Sequence, residues 1–95
     1  MDDEQIRVYM EEHRLAENVR EFLRTPVGEY LLGRAEIDMH EAKEEFVRIN
    51  PHGWFSRRKY AAAKARYEVA ASFLRWLNEA LVNGDVALAQ LEDGD

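Results

Sequence analysis

The three histidines, His13, His40 and His52, are the side chains of this sequence best suited to binding a metal or transferring a proton near neutral pH. His40 has carboxylates at helical spacing on both sides, in Glu36 and Glu44. Such an arrangement holds a divalent cation only weakly, and neither the Glu-x-x-His spacing of di-metal helical bundles nor a His-Glu-x-x-His motif occurs in the sequence. We expect a surface ion pair at His40, and no metal or cofactor.

Hydroxyl groups are the remaining candidates for a catalytic nucleophile, because the sequence has no cysteine. Thr25 and Ser56 precede predicted helices, where such residues usually cap the helix N-terminus. Ser72 lies inside a predicted helix with no histidine at hydrogen-bonding spacing. Gly28 and Gly33 do not form a phosphate-binding loop, since no strand precedes them and no Lys-Ser/Thr pair follows; we interpret them as points of close helix contact. The sequence therefore predicts a protein that is not an enzyme.

Length and composition predict one folded domain. The 95 residues are too few for two independent cores, and 46% apolar with 34% charged side chains is a globular balance. The absence of cysteine favours a reducing compartment, and the acidic start of the chain lacks the apolar segment of a signal peptide. No apolar run approaches the roughly 20 residues of a membrane span. We expect a soluble cytoplasmic protein with no membrane partner.

The elements that position these residues are all helical. Helices are predicted at about residues 3–24, 26–49, 57–82 and 86–91, followed by a frayed acidic tail at 92–95. Thr25-Pro26 indicates a helix start, because threonine caps helices and proline is tolerated at the first helical position. Residues 50–53, Asn-Pro-His-Gly, favour a loop, and Asn83-Gly84 is typical of a helix end.

The third predicted helix carries a heptad stripe, a set of apolar residues that alternate three and four positions apart. It consists of Tyr60, Ala63, Tyr67, Ala70, Leu74, Leu77 and Leu81. This spacing predicts an all-α fold in which helices 2 and 3 form a long antiparallel hairpin. The N-terminal helix is expected either to pack on the hairpin or to serve in oligomerisation, and a short C-terminal helix completes the fold.

A second apolar stripe lies beside the first and widens the apolar face of helix 3. It consists of Val69, Phe73, Trp76 and Ala80. One interpretation is that helices 1 and 2 cover both stripes in a three-helix bundle. The other is that Val69, Phe73 and Trp76, with Tyr9 on the mixed face of helix 1, form a surface for a second copy or another protein.

Charge is distributed unevenly along the chain. Residues 1–50 have a net charge of −6, residues 51–84 of +4 and residues 85–95 of −4. Arg57, Arg58 and Lys59 open helix 3 close to Trp54, so this basic cluster is a candidate partner-binding site. We expect it to pair with the acidic end of helix 2 rather than to bind nucleic acid, because the whole chain has a net charge of −6.

Residues 22–35, FLRTPVGEYLLGRA, and residues 73–80, FLRWLNEA, resemble the small helical proteins of unassigned role encoded in tailed-bacteriophage genomes. The resemblance implies a viral origin and an accessory role in head assembly or DNA packaging, in the host cytoplasm or on the virion. We therefore expect a non-catalytic interaction protein that binds itself or a larger protein assembly. The alternatives are an acidic inhibitor that mimics DNA, and a weak nucleic-acid-binding module that uses the basic start of helix 3.

Overall fold

The computed structural model describes residues 1–48 and 56–94. Three helices make up nearly all of this part of the chain, and it contains no strand: α1 spans Asp3–Arg24, α2 Pro26–Arg48 and α3 Ser56–Asp93. The all-α prediction is confirmed. Among the described residues, none of these helices combines the length and hydropathy that a membrane-spanning segment requires. The predicted loop at residues 50–53, Trp54 and the capping side chain of Ser56 lie outside what the structure describes.

The starts of α1 and α2 follow from side chains that satisfy free backbone N–H groups. Asp2 caps α1, accepting a hydrogen bond from the N–H of Gln5 at 2.8 Å, while the Gln5 side chain accepts one from the N–H of Asp2 at 3.2 Å. Thr25 alone separates α1 from α2. Its hydroxyl accepts from the N–H of Gly28 at 3.0 Å and donates to the carbonyl of Phe22 at 2.6 Å, so one residue ends the first helix and starts the second.

The helices form two compact units that share α3. In the first unit, Met1–Glu29 with Trp76–Asp95, α1 packs on the C-terminal part of α3. In the second, Tyr30–Arg75, α2 packs on the N-terminal part of α3. The single domain expected from the length stays a prediction, because both units depend on the same helix.

The predicted end of helix 3 at Asn83-Gly84, and with it the separate short helix, is wrong; of the predicted tail at 92–95, Glu92 and Asp93 belong to α3. The helix continues through Gly84 to Asp93. No glycine among the described residues has the positive φ that a glycine cap adopts. Gly84 is instead buried against α1: a Cβ atom at this position would overlap that of Ala16 and lie 3.0 Å from the carbonyl oxygen of Glu12. Glycine is present here because of close helix packing rather than helix termination.

Alanine forms the buried core of both units. The buried side chains are Ala16 and Ala87 in the first unit, and Ala35, Ala42, Ala63 and Ala70 in the second. Within the described residues no large side chain is fully buried. Small side chains allow helices to approach closely, but they remove little apolar area from water. Each unit therefore leaves much of its larger apolar side chains accessible.

Candidate interaction surface

A groove of about 470 Å³ lies between α2 and α3 in the second unit. Nine residues line it: Leu31, Arg34, Ala35 and Asp38 from α2, and Ala65, Arg66, Val69, Ala70 and Phe73 from α3. Six of the nine are apolar. The groove thus has the mainly apolar lining with a few charged groups that is typical of binding sites.

The floor and the walls of the groove differ in side-chain size. Ala35 and Ala70 are buried at the floor, where the two helices meet. Val69 stands at the wall with 73% of its surface exposed, while Leu31 is 38% exposed and Phe73 is half-buried. An exposed valine beside a partly exposed phenylalanine and leucine makes a continuous apolar surface open to solvent.

The charged groups of the groove form a network around Arg66. Its guanidinium lies 3.1 Å from Glu41, 3.5 Å from Asp38 and 3.8 Å from Glu45, all three on α2. Arg34 lies 3.4 Å from the same Asp38 oxygen. The hydrogen bond that Arg66 donates to Glu41 is the main cause that raises the pKa of Arg66; desolvation opposes this effect, and the charge of Asp38 adds to it. The cations lining the groove are therefore already partnered by carboxylates of the same unit.

Beyond the groove, three aromatic rings join α2 to α3. The ring of Phe46 lies 5.2 Å from that of Tyr60 and 5.9 Å from that of Tyr67, in tilted and edge-to-face arrangements. Such pairs stabilise by about 0.5–1.5 kcal/mol beyond their buried area. Because the rings contact both helices, they fix α2 on α3 and so define the shape of the groove.

Two of the predicted partner-binding residues, Val69 and Phe73, lie together in this groove. Trp76 belongs to the first unit and is 62% exposed. Tyr9 is half-buried on α1 and lines a smaller surface depression of about 280 Å³ with Asp2, Glu4, Gln5 and Val8. Trp54 lies outside the described residues. The structure therefore brings together only part of the predicted set.

The basic cluster of Arg57, Arg58 and Lys59 is exposed in the first turn of α3. Among the residues that the structure describes, no ion pair includes any of these three. Arg66, two turns farther along, forms the pairs with Glu41 and Glu45 that the sequence suggested for the cluster. The sequence did not distinguish Arg66 because the heptad stripe alone does not give the register of α2 against α3.

The α2 wall of the groove was not recognised from the sequence as part of a partner surface. Leu31 and Ala35 belong to the apolar stripe of α2, and the structure buries Ala35 while leaving part of Leu31 accessible. The sequence did indicate that an apolar surface would stay uncovered here, because the apolar face of α3 is wider than one partner helix can cover.

The chemistry-bearing residues remain scattered. His40 Nε2 pairs with Glu44 at 3.1 Å on the exposed face of α2, and the Ser72 hydroxyl lies 3.5 Å from Arg75 on α3. Within the described part of the chain, no group of three or more His, Asp and Glu side chains is arranged to hold a metal ion. The α2–α3 groove remains the largest set of apolar side chains that the described residues bring together around one concavity among those given above. No protein-family model, curated protein or solved structure matches the chain.

Proposed function

We propose that this chain is a non-catalytic protein–protein interaction protein that binds its partner in the α2–α3 groove. The observation that supports this most directly is the exposure of Val69 within an apolar groove whose floor is alanine. A unit with so small a core gains stability when a partner covers its exposed apolar surface. Val69 and Phe73 supply the apolar contacts, and the partnered charges of Arg34 and Arg66 border them.

The antiparallel hairpin of α2 and α3 is part of this proposal. It is supported by the order of contacts in the second unit, where positions that rise along α2 meet positions that fall along α3. Ala35 shares the groove floor with Ala70, Glu41 pairs with Arg66, and Phe46 contacts Tyr60. A hairpin presents one continuous two-helix face, which is the usual surface onto which further helices pack in bundles.

The biological setting of the proposal rests on the resemblance of residues 22–35 and 73–80 to small helical proteins of tailed bacteriophages. A viral accessory protein in head assembly or DNA packaging acts by binding other components, in the host cytoplasm or on the virion, and needs no active site. An apolar groove suits that role better than it suits the mimicry of DNA. Mimicry requires an uninterrupted row of carboxylates, whereas Arg20, Arg34 and Arg66 pair with carboxylates along the helices.

Site-specific photo-crosslinking tests the proposal. A benzophenone amino acid at position 69 samples the groove, and the same group at position 47 is the matched control. Val47 is also an exposed valine of the second unit, at 84% exposure, but does not line the groove. In cells that make the protein, we expect a protein adduct from position 69 that position 47 does not give, with the bound protein and its attachment site identified by mass spectrometry.

Binding of the identified protein, remeasured with purified components, should then be at least tenfold weaker for Val69→Lys than for Val47→Lys, a ratio that corresponds to about 1.4 kcal/mol. Equal adduct yields from positions 69 and 47, or equal binding by the two lysine variants, would contradict the proposal.

A further inference from the structure

We infer that the protein bound in the groove is a second copy of this chain, related to the first by a two-fold axis that passes close to Val69. The inference rests on the proposed function and specifies its partner. In such a dimer the N-terminal part of α3 of each copy packs on that of the other, in opposite directions. The groove of each copy then receives the exposed apolar stripe of its partner.

Side-chain sizes along α3 are complementary under this symmetry. The accessible stripe of the second unit consists of the exposed Ala62, Ala65 and Val69 and the half-buried Phe73, so small residues precede large ones. When two such stripes run in opposite directions about Val69, Phe73 of one copy lies opposite Ala65 of the other. Each ring then fills the space that an alanine leaves, as in the packing of ridges into grooves. A parallel arrangement would instead place large beside large and leave voids between alanines.

The second unit leaves apolar side chains for a second copy to cover. In the groove, Val69 is 73% exposed and Leu31 is 38% exposed. Covering them removes apolar area from water, which is the main favourable contribution to most protein–protein association. Since the described residues include no fully buried large side chain, an added layer of helices supplies the burial that one copy lacks.

The charges of the groove permit self-association despite the net charge of −6. None of the four stripe residues is charged, and Arg66 beside them is held by Asp38, Glu41 and Glu45 of its own unit. A two-fold contact along the stripe therefore brings no unpaired charge out of water, which would be costly. Nucleic acid fits the same surface poorly, because the cations that line the groove, Arg34 and Arg66, are already paired with carboxylates of the same unit.

Cysteine scanning tests the symmetry directly, because the chain has no cysteine of its own. Helices packed with axes 8–10 Å apart bring facing Cα atoms to within about 6 Å, which a disulfide can span. Val69→Cys should therefore form a disulfide-linked dimer under mild oxidation. Ala62→Cys occupies the same face seven residues away, so two copies about the proposed axis hold it roughly 20 Å apart, and it should stay reduced.

The oligomeric state supplies the second measurement. Light scattering at about 100 µM chain should give twice the mass of one copy for the unmodified protein and for Val47→Lys, and the mass of one copy for Val69→Lys with unchanged helical circular dichroism. A monomeric unmodified protein, or equal cross-linking at positions 62 and 69, overturns the inference. An adduct from position 69 to a different protein would leave the proposed function standing while removing the second copy as its partner.

Discussion

Gly84 of α3 lies against Ala16 of α1 so closely that no side chain fits between the two helices. Both residues are buried, and Ala16 has no accessible surface. Ala87, one turn along α3, is likewise inaccessible. At this crossing the two helix backbones approach closely, so the stability of the first unit depends on keeping position 84 small.

Gly84→Ala should destabilise the protein, although alanine is the better helix former. The added methyl group would overlap Ala16, so the helices must separate, and overpacking of this kind typically costs 1–3 kcal/mol, about twice the gain in helix propensity. Urea unfolding followed by circular dichroism at 222 nm measures the change.

Gly33→Ala is the matched control, because a Cβ atom at position 33 meets nothing within 4 Å. Here only helix propensity changes, and we expect stabilisation by about 0.5–1 kcal/mol. If both substitutions stabilise the protein equally, α1 and α3 are not in close contact at Gly84.

Gly84 also shows how far local sequence signals predict this fold. Thr25-Pro26 indicated a helix start, and α2 begins at Pro26. Asn83-Gly84 indicated a helix end by the same kind of reasoning, yet α3 continues. The two cases differ because a cap is decided within one turn, whereas close packing depends on a residue far away in the sequence. Gly84 follows Leu77 by seven residues, so an extension of the heptad stripe would have placed it on the packed face.

The groove could be predicted only in part from the sequence. Periodicity placed Val69 and Phe73 on one face of α3, and both line the groove. It could not supply Leu31 or Arg66, since the register between two helices depends on which side chains interlock. Because the register was unknown, the sequence analysis expected the acidic residues of α2 to pair with Arg57 and its neighbours. In the structure, Arg66 forms those pairs.

Asp85→Asn should lower the thermal stability of the protein in a salt-dependent way. Arg20 Nη2 lies 2.6 Å from Asp85, and Glu17 holds the other nitrogen at 2.6 Å. The hydrogen bond to Asp85 is the first cause that raises the pKa of Arg20. A raised pKa adds stability that is present below the unfolded value and is lost only as pH rises through the folded one, so this contribution is constant from about pH 6 to 9.

The difference in Tm between the unmodified protein and Asp85→Asn should shrink in about 1 M NaCl, where screening is strong. Glu68→Gln removes the same charge from an exposed position that forms no ion pair with the described residues, and is the control. A Tm difference for Asp85→Asn that is unaffected by salt would show that the pair acts through packing instead.

Phe46→Ala should destabilise the second unit. The Phe46 ring on α2 contacts both Tyr60 and Tyr67 on α3, and alanine removes both contacts. For a half-buried phenylalanine we expect a loss of about 2 kcal/mol. Phe46→Leu keeps most of the apolar area and should cost about 1 kcal/mol, the part due to ring geometry. Near-ultraviolet circular dichroism, which reports the environment of tyrosines, should change for both variants; an unchanged spectrum would contradict the contact.

The basic start of α3 should not bind nucleic acid measurably. Arg57, Arg58 and Lys59 are three exposed cations on a chain of net charge −6, and non-specific binding requires many phosphate contacts. Fluorescence anisotropy of a labelled 20-nucleotide single strand at about 50 mM salt is expected to stay flat up to roughly 100 µM protein. A rise in anisotropy that Arg57→Glu with Arg58→Glu abolishes would instead assign nucleic-acid binding to this cluster.

The Tm of the unmodified protein should rise with protein concentration, because dissociation precedes or accompanies the unfolding of a dimer. For a tenfold increase in concentration, mass action adds about 1.4 kcal/mol to the free energy of unfolding per dimer, which moves the Tm of a domain this size by a few degrees. Val69→Lys, which places two like charges at the proposed axis, should have a Tm independent of concentration. Val47→Lys adds the same charge outside the groove and should retain the dependence. A concentration-independent Tm for the unmodified protein would mean that no second copy covers the stripe of Ala62, Ala65, Val69 and Phe73. The partner that binds at Val69 and Phe73 would then be a different protein.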